Sequence, residues 1–399
     1  MKVQFFIFSL LVLISCTEGN SFHSYTTLKD GNFLINIDDL NFEKSIVIDS
    51  IFKIEKIVKL ESNEDSFIGS YDKILIEEDR IFIMDSSITF SIFVFDFGGN
   101  FLFKIFSFGE GPKEYLELRD FTLSPSTNTI DVLDFGGKKV LRFSKQNGEF
   151  IEMESLDINS YYRSIEKIDG GYVSSHANNC GVLDDCYNVS FLSDDLIVES
   201  NSLAMNKHLK NYDFKGDPQF SRNSDRVFFR EIFNDTIYEV LPATNQLRAA
   251  FSIDFGKFRL PSDFKYSRKN SNLNEALEYS LINNFTLGIK DFFVSENYLY
   301  FRYGTPGLRE VIVDLSTMNN VSFQRYITSN FLYTGTVSAV FQNQFVKVIS
   351  AEEIISLVNN YYNTSDSLRI REEYYQFYLF AKDIDSGSNG VLTFLTPDF

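Results

Sequence analysis

Arg80-Ile-Phe-Ile-Met-Asp85, Ile92-Phe-Val-Phe-Asp96 and Gly99-Asn-Phe-Leu-Phe103 follow one another with only short turns between them. The same order returns in Thr129-Ile-Asp-Val-Leu-Asp134, Val140-Leu-Arg-Phe-Ser144 and Gly148-Glu-Phe-Ile151. Each copy reads as strand, turn, strand, turn, strand: short Ile, Val, Phe and Leu runs closed by Asp, Asn or Gly. Copies recurring at roughly 40–50 residues have the spacing of propeller blades. Such a unit cannot bury its faces alone, so one copy implies others packed against it.

Working outward, the pattern extends to six blades. After a lead strand at Ile74–Ile76, the first blade uses 80–85, 92–96 and 101–106. The second uses 121–123, 129–134, 139–144 and 149–154. Fainter copies follow at 162–199, 226–253 and 292–324. The sixth is split: 337–341 and 344–349 come first, and Val391-Leu-Thr-Phe-Leu395 follows a long insertion. Its fourth strand is expected from residues 50–60, so that the chain's beginning closes on 391–395 and no sheet edge is left open there. Two insertions have helical character. Residues 272–285 set Leu273, Ala276, Leu277, Leu281 and Phe285 near one face. Ser350 with Glu353 three residues on is a capping box opening a second helix. The expected fold is therefore all-β, a six-bladed β-propeller with two small helical insertions. It spans residues 46–399, after a signal peptide at 1–15 and a tether at 16–45.

With 44% hydrophobic residues, including 43 Phe and 21 Tyr, the chain has material for a large core. Its net charge of -18 argues against nucleic acid, because a phosphate backbone would be repelled and no basic stripe offsets the repulsion. At the amino terminus, Lys2 precedes an apolar run that is too short to span a bilayer and ends at Cys16. Leu13-Ile14-Ser15-Cys16 resembles a bacterial lipobox. That resemblance implies cleavage before Cys16, lipid on the cysteine, and membrane attachment through acyl chains alone. The expected location is the bacterial cell envelope, lipid-anchored to the outer membrane. Cys180 and Cys186 flank a short loop near His176. An oxidising compartment favours a disulfide between them, with free thiols or a metal site as the other readings.

Phe106-Ser-Phe-Gly109-Glu-Gly111-Pro112-Lys-Glu114-Tyr115, followed by Phe121 and Asp134, resembles the G-x-G-P-x-E-[YF] turn of six-bladed β-propeller lipoproteins of Bacteroidetes, relatives of NHL-repeat propellers. Asn389-Gly390-Val391 through Leu395 is similar to that family's closing strand. The resemblance covers most of residues 46–399, supports fold and location, and leaves activity open. The Gly-Pro loop itself lacks the Lys-Ser/Thr of a phosphate loop. It reads as a tight blade-to-blade turn, with glycine supplying positive φ.

No nucleophile elbow or zinc-protease motif is present, and the chain holds only three histidines, at 23, 176 and 208. No catalytic residue, metal ligand or cofactor is assigned. The favoured function is non-catalytic binding of a small molecule, a glycan, a peptide or an envelope protein at one ring face. An enzyme acting on a sugar or modified peptide, and a structural role in an outer-membrane complex, are the alternatives. Loops around the central channel make Arg80, Asp85, Glu114, Tyr115, Arg119, Asp120, Arg226 and Arg302 candidate ligand contacts. Tyr161-Tyr162 is a further aromatic pair suited to stacking.

Overall fold

The computed structural model describes residues 25–27, 32–124, 126–179, 181, 186–206, 209, 219–231, 233–264, 273–305, 307–328, 330–362 and 375–399. The signal-peptide and lipid-anchor assignments, with Cys16 and Cys180, lie outside these residues.

Six sheets, each built on four antiparallel strands, form the ring. Blade one is Lys73–Glu77, Arg80–Asp85, Ser91–Asp96 and Phe101–Ile105. Blade two is Leu118–Ser124, Thr129–Asp134, Lys139–Ser144 and Phe150–Ser155. Blade three is Ser164–Ile168, Gly171–Ser175, Tyr187–Ser193 and Val198–Ala204. Blade four is Phe220–Asn223, Arg226–Arg230, Thr236–Leu241 and Gln246–Asp254. Blade five is Ile289–Val294, Tyr298–Thr305, Gly307–Asp314 and Asn320–Ile327. Blade six takes Thr336–Phe341, Gln344–Ile349 and Val391–Pro397 from the end of the chain and Phe52–Lys59 from its beginning. The join runs antiparallel from Val391↔Lys59 to Pro397↔Phe52.

Middle strands such as Ser91–Asp96 are buried along nearly their whole length. A blade is sandwiched between neighbours, so both faces of its middle strands meet core and the sequence runs apolar without alternation. Between blades one and two, for example, Phe82, Met84, Ile92 and Val94 pack with Phe121, Val132 and Leu141. Outer strands alternate instead, as Phe101–Ile105 does. Third strands end where a side chain takes over the backbone's hydrogen bonds. Asp96 Oδ1 accepts from the Gly98 and Asn100 amides at 2.8 and 2.9 Å, and Asp314 Oδ1 from Ser316 and Thr317 at 2.8 and 3.0 Å.

The stretch expected as the far end of a tether is instead built into the ring. Phe33–Asn36 lies parallel to the outer strand of blade four, with Phe33 opposite Phe251. Phe42–Val47 lies parallel to the outer strand of blade five, with Phe42 opposite Ser322. Ile35, Ile37 and Leu40 enter the core shared by blades four and five. This strap is mostly polar at the positions that face water, Phe42 and Val47 excepted, and carries enough apolar residues to anchor itself. Before it, Tyr25–Thr27 folds back antiparallel on Phe33–Ile35.

Strand order divides the connections between two faces of the ring. First-to-second and third-to-fourth connections meet on one face, where the longest, 145–149 and 315–319, have five residues. Second-to-third and blade-to-blade connections meet on the other, which holds the long ones: 60–72, 106–117, 176–186, 205–219, 255–288 and 350–390. This insertion face carries three described helices, α1 (Leu273–Asn283), α2 (Ala351–Tyr362) and α3 (Tyr375–Ala381), one more than expected. The capping box of α2 forms: the Glu353 amide donates to Ser350 Oγ at 3.2 Å, and the Ser350 amide to Glu353 Oε2 at 3.0 Å.

Candidate ligand-binding face

The innermost strands leave unpaired backbone groups facing the axis, and polar side chains of the preceding blade satisfy them. Asp120 Oδ2 accepts from the Ile165 amide at 2.8 Å, Thr122 Oγ1 from the Lys167 amide at 3.0 Å, and Ser221 Oγ from the Val294 amide at 3.1 Å. Lys73 Nζ donates to Asp120 Oδ1 and to the Phe121 carbonyl, both at 2.7 Å. Glu166 joins the row through Arg222 Nε at 2.7 Å and Thr122 at 3.0 Å. Burial pushes the Glu166 carboxyl up, but Arg222 and Lys73 outweigh it and hold the group below its ordinary value. Burial pulls Lys73 down, and Asp120 and Glu166 more than restore it. Charged side chains thus join blades one to four along the axis, with burial outweighing Lys73 at Asp120 and raising that carboxyl.

That arrangement reassigns several expected contacts. Asp120 belongs to the axial row. Asp85 is fully buried, with five hydrogen bonds: Oδ2 accepts from the Gly69 and Ser70 amides and the Thr89 hydroxyl, Oδ1 from the Ser87 and Ile88 amides. Asp134 holds the matching position in blade two, accepting from the Leu116, Glu117 and Gly137 amides. Arg80 and Asp85 sit at opposite ends of one strand, so they cannot line one mouth. Arg80 is on the short-turn face and bonds the Lys145 carbonyl. Arg226, also on that face, pairs with Glu239 at 2.8 Å. Arg302 forms a buried, bidentate pair with Asp291.

The Gly-Pro turn is structural too. Glu114 folds back so that Oε2 accepts from the Gly111 amide at 2.8 Å. Tyr115 is fully buried and donates to the Phe90 carbonyl at 2.6 Å, and its hydroxyl is pushed up to about 12 by burial. Neither Gly109 nor Gly111 has positive φ. A Cβ at position 109 would run into the Glu114 carboxylate, so glycine there leaves room for Glu114 to fold back onto the turn. Sequence reasoning found the right turn and the wrong cause.

Arg119 alone of the eight candidates lies in a half-exposed cluster on the insertion face. There the Lys138 ammonium sits 4.3 Å from the centre of the Phe135 ring and 4.6 Å from that of Tyr161. The guanidinium carbons of Arg163 and Arg119 lie 4.6 and 5.1 Å from the same Phe135 centre. Arg119 pairs with Glu117, and Lys138 donates to the Ser160 carbonyl. Burial, then repulsion from Arg163, lowers the Lys138 ammonium's pKa, with Glu117 opposing. Three connections supply the cluster: the start of blade two's first strand, the turn 135–138 and the link 156–163. Lys138 reaches its place from a left-handed backbone conformation, φ +52. Tyr161 was legible as an exposed aromatic; Phe135, Lys138 and Arg163 were missed because their proximity is tertiary.

Beside the cluster, Cys186 is disulfide-bonded. His176 is partly buried, which lowers its pKa to about 4, and lies 2.9 Å from the Ser190 hydroxyl and edge-on to Tyr162. Among the described residues no group of His, Cys, Asp and Glu is arranged to hold a metal. A separate shallow cleft of about 340 Å³ lies between Lys59–Ser62, Gly99, Asn100 and Ser388. Its walls are committed to the ring's closure: the Glu61 amide donates to the Gly99 carbonyl at 2.8 Å, and the Phe101 amide to Glu61 Oε2 at 2.8 Å.

A family model described as a domain of unknown function, DUF4934, matches residues 33–395, nearly all of the strap and ring. The chain belongs to that family. No curated protein matches this DUF4934 member. Among solved structures it is similar to a Bacteroides fragilis protein taken to be exported, at TM-score 0.69 and 18% identity, over 90% of this chain and 100% of that one. It is also similar to a DUF4221 family member from Bacteroides vulgatus, at TM-score 0.52 and 12% identity, over 88% and 99%. At these identities the likeness is one of fold.

Proposed function

We propose that this DUF4934 propeller is a non-catalytic binding protein of the cell envelope, anchored through Cys16. It engages an anionic group of an envelope glycan or peptide on its insertion face. The observation that carries this reading is the seating of Lys138 against Phe135 and Tyr161 with two guanidiniums beside it. Aromatic faces favour a cation that burial and like charge disfavour. An incoming anion would relieve that repulsion, so the site gains more from a bound carboxylate, sulfate or phosphate than a solvated lysine would. The axial charges are not offered for this role, since each is used in holding neighbouring blades together.

The reading is tested by titrating polygalacturonate and a sulfated glycan into the protein at fixed ionic strength. At least one should bind, and Lys138→Gln and Arg119→Gln should each weaken it about tenfold, equivalent to about 1.4 kcal/mol. Binding that both variants leave unchanged places the ligand elsewhere.

A further inference from the structure

We infer that the insertion face seats on a lipid bilayer, with its apolar side chains entering the interface. Among the described residues, the large apolar side chains that are exposed outside strands divide unevenly between the two faces. Phe67, Ile88, Phe90, Phe106, Phe108 and Leu116 stand on connections around blades one and two, with Phe90 and Phe108 stacked at 5.2 Å. Ile158 follows between blades two and three, Leu277, Leu281 and Ile282 on α1, and Leu379 on α3. The opposite face offers Ile197.

A protein partner would be met by one contiguous patch. Here the apolar groups extend from the connections of blades six, one and two across the axis to the helix between blades four and five, wider than a single contiguous patch, as a broad counter-surface would meet them. Phe106 is 59% exposed and Ile282 72% exposed, and they belong to blades on different sides of the axis.

The path of the amino terminus gives the orientation independently. Tyr25 pairs with Ile35, and Ile35 with Ile253, one residue from the end of blade four's outer strand at the insertion face. Tyr25–Thr27 runs antiparallel to Phe33–Asn36, so its first residue, Tyr25, lies at the end nearer that face. Eight residues lie between Cys16 and Tyr25, a reach of roughly 30 Å when extended. A lipid on Cys16 therefore holds this face, not the other, toward the membrane. This orientation rests on the anchoring proposed above, whereas the apolar asymmetry does not. An anionic ligand of the Lys138 cluster would then be a group displayed at the membrane surface.

The sequence contains no Trp, so a single introduced indole reports its own surroundings. The full chain is expressed as the lipoprotein and reconstituted in phosphatidylethanolamine–phosphatidylglycerol vesicles, carrying Phe106→Trp, Ile282→Trp or Ile197→Trp in turn. Flotation reads the anchor, and quenching by brominated lipid reads the seating. Emission at positions 106 and 282 should shift to the blue and be quenched at least twofold, while position 197 stays as in solution. Flotation without quenching at 106 and 282, or equal quenching at 197, overturns the seating and leaves the anchor standing. Failure to float overturns both. Burial of 106 only when an envelope protein extract is added assigns the face to a protein partner and overturns the proposal.

Discussion

At the scale of single residues, most of the side chains that looked chemical are holding backbone. Asp85 and Asp134 recur at the same blade position because each ties the incoming connection to the end of a second strand. Glu114 does the same inside its own turn, which makes a specific coupling measurable. Gly109→Ala should displace the Glu114 carboxylate from the Gly111 amide and cost about 1–2 kcal/mol. In a Glu114→Ala background the same change should cost almost nothing, giving a coupling energy of about 1 kcal/mol in a urea-denaturation double-mutant cycle. His176 gives the molecule an acid limit. Its folded pKa of about 4 lies below the ordinary 6.5, so the unfolded chain binds the proton more readily. Its contribution is present above pH 6.5 and is lost as pH falls toward 4. His176→Gln should be less stable than the parent at neutral pH yet lose less stability between pH 6.5 and 4, by on the order of 2 kcal/mol. Equal pH slopes for both proteins would refute the partly buried neutral imidazole.

At the scale of elements, the hairpins of the first two blades were readable almost residue for residue. Their strands are continuous apolar runs closed by local turn chemistry, and both signals lie within a few residues of each other. Two kinds of strand escaped. Phe220–Asn223 is four residues long, and its second half is polar. Phe42–Val47 is mostly exposed and pairs with strand 320–327, so no local hairpin signal exists for it. The strap nevertheless contributes core. Ile37→Ala removes a buried side chain from the seam of blades four and five and should cost about 2–4 kcal/mol. Val47→Ala, at a position 51% exposed, should leave the thermal midpoint nearly unchanged. Similar losses at the two positions would show that the strap is not docked as described.

At the scale of the whole molecule, the blades followed from the repeat, whereas ring closure followed from pairing the chain's first strand with its last so that no sheet edge stays open. The location of a binding site did not follow. Arg119 was legible only as a charged residue near a first strand, and its company of Phe135 and Lys138 from one turn and Arg163 from a separate link comes together only through folding. The division of the molecule into a plain face and an elaborated one follows from strand order once the blades are assigned. It is the level at which sequence and function come closest here.

The strap has one more consequence, which concerns mechanical load. A pull on the amino-terminal end first meets the Tyr25–Thr27 pairing on the strap itself, then the pairing with blade four, then that with blade five, and only last the strand that seals blade six. The two parallel strands therefore act as a sacrificial fastening. They can peel away and lengthen the leash under tension while the seam of the ring stays shut.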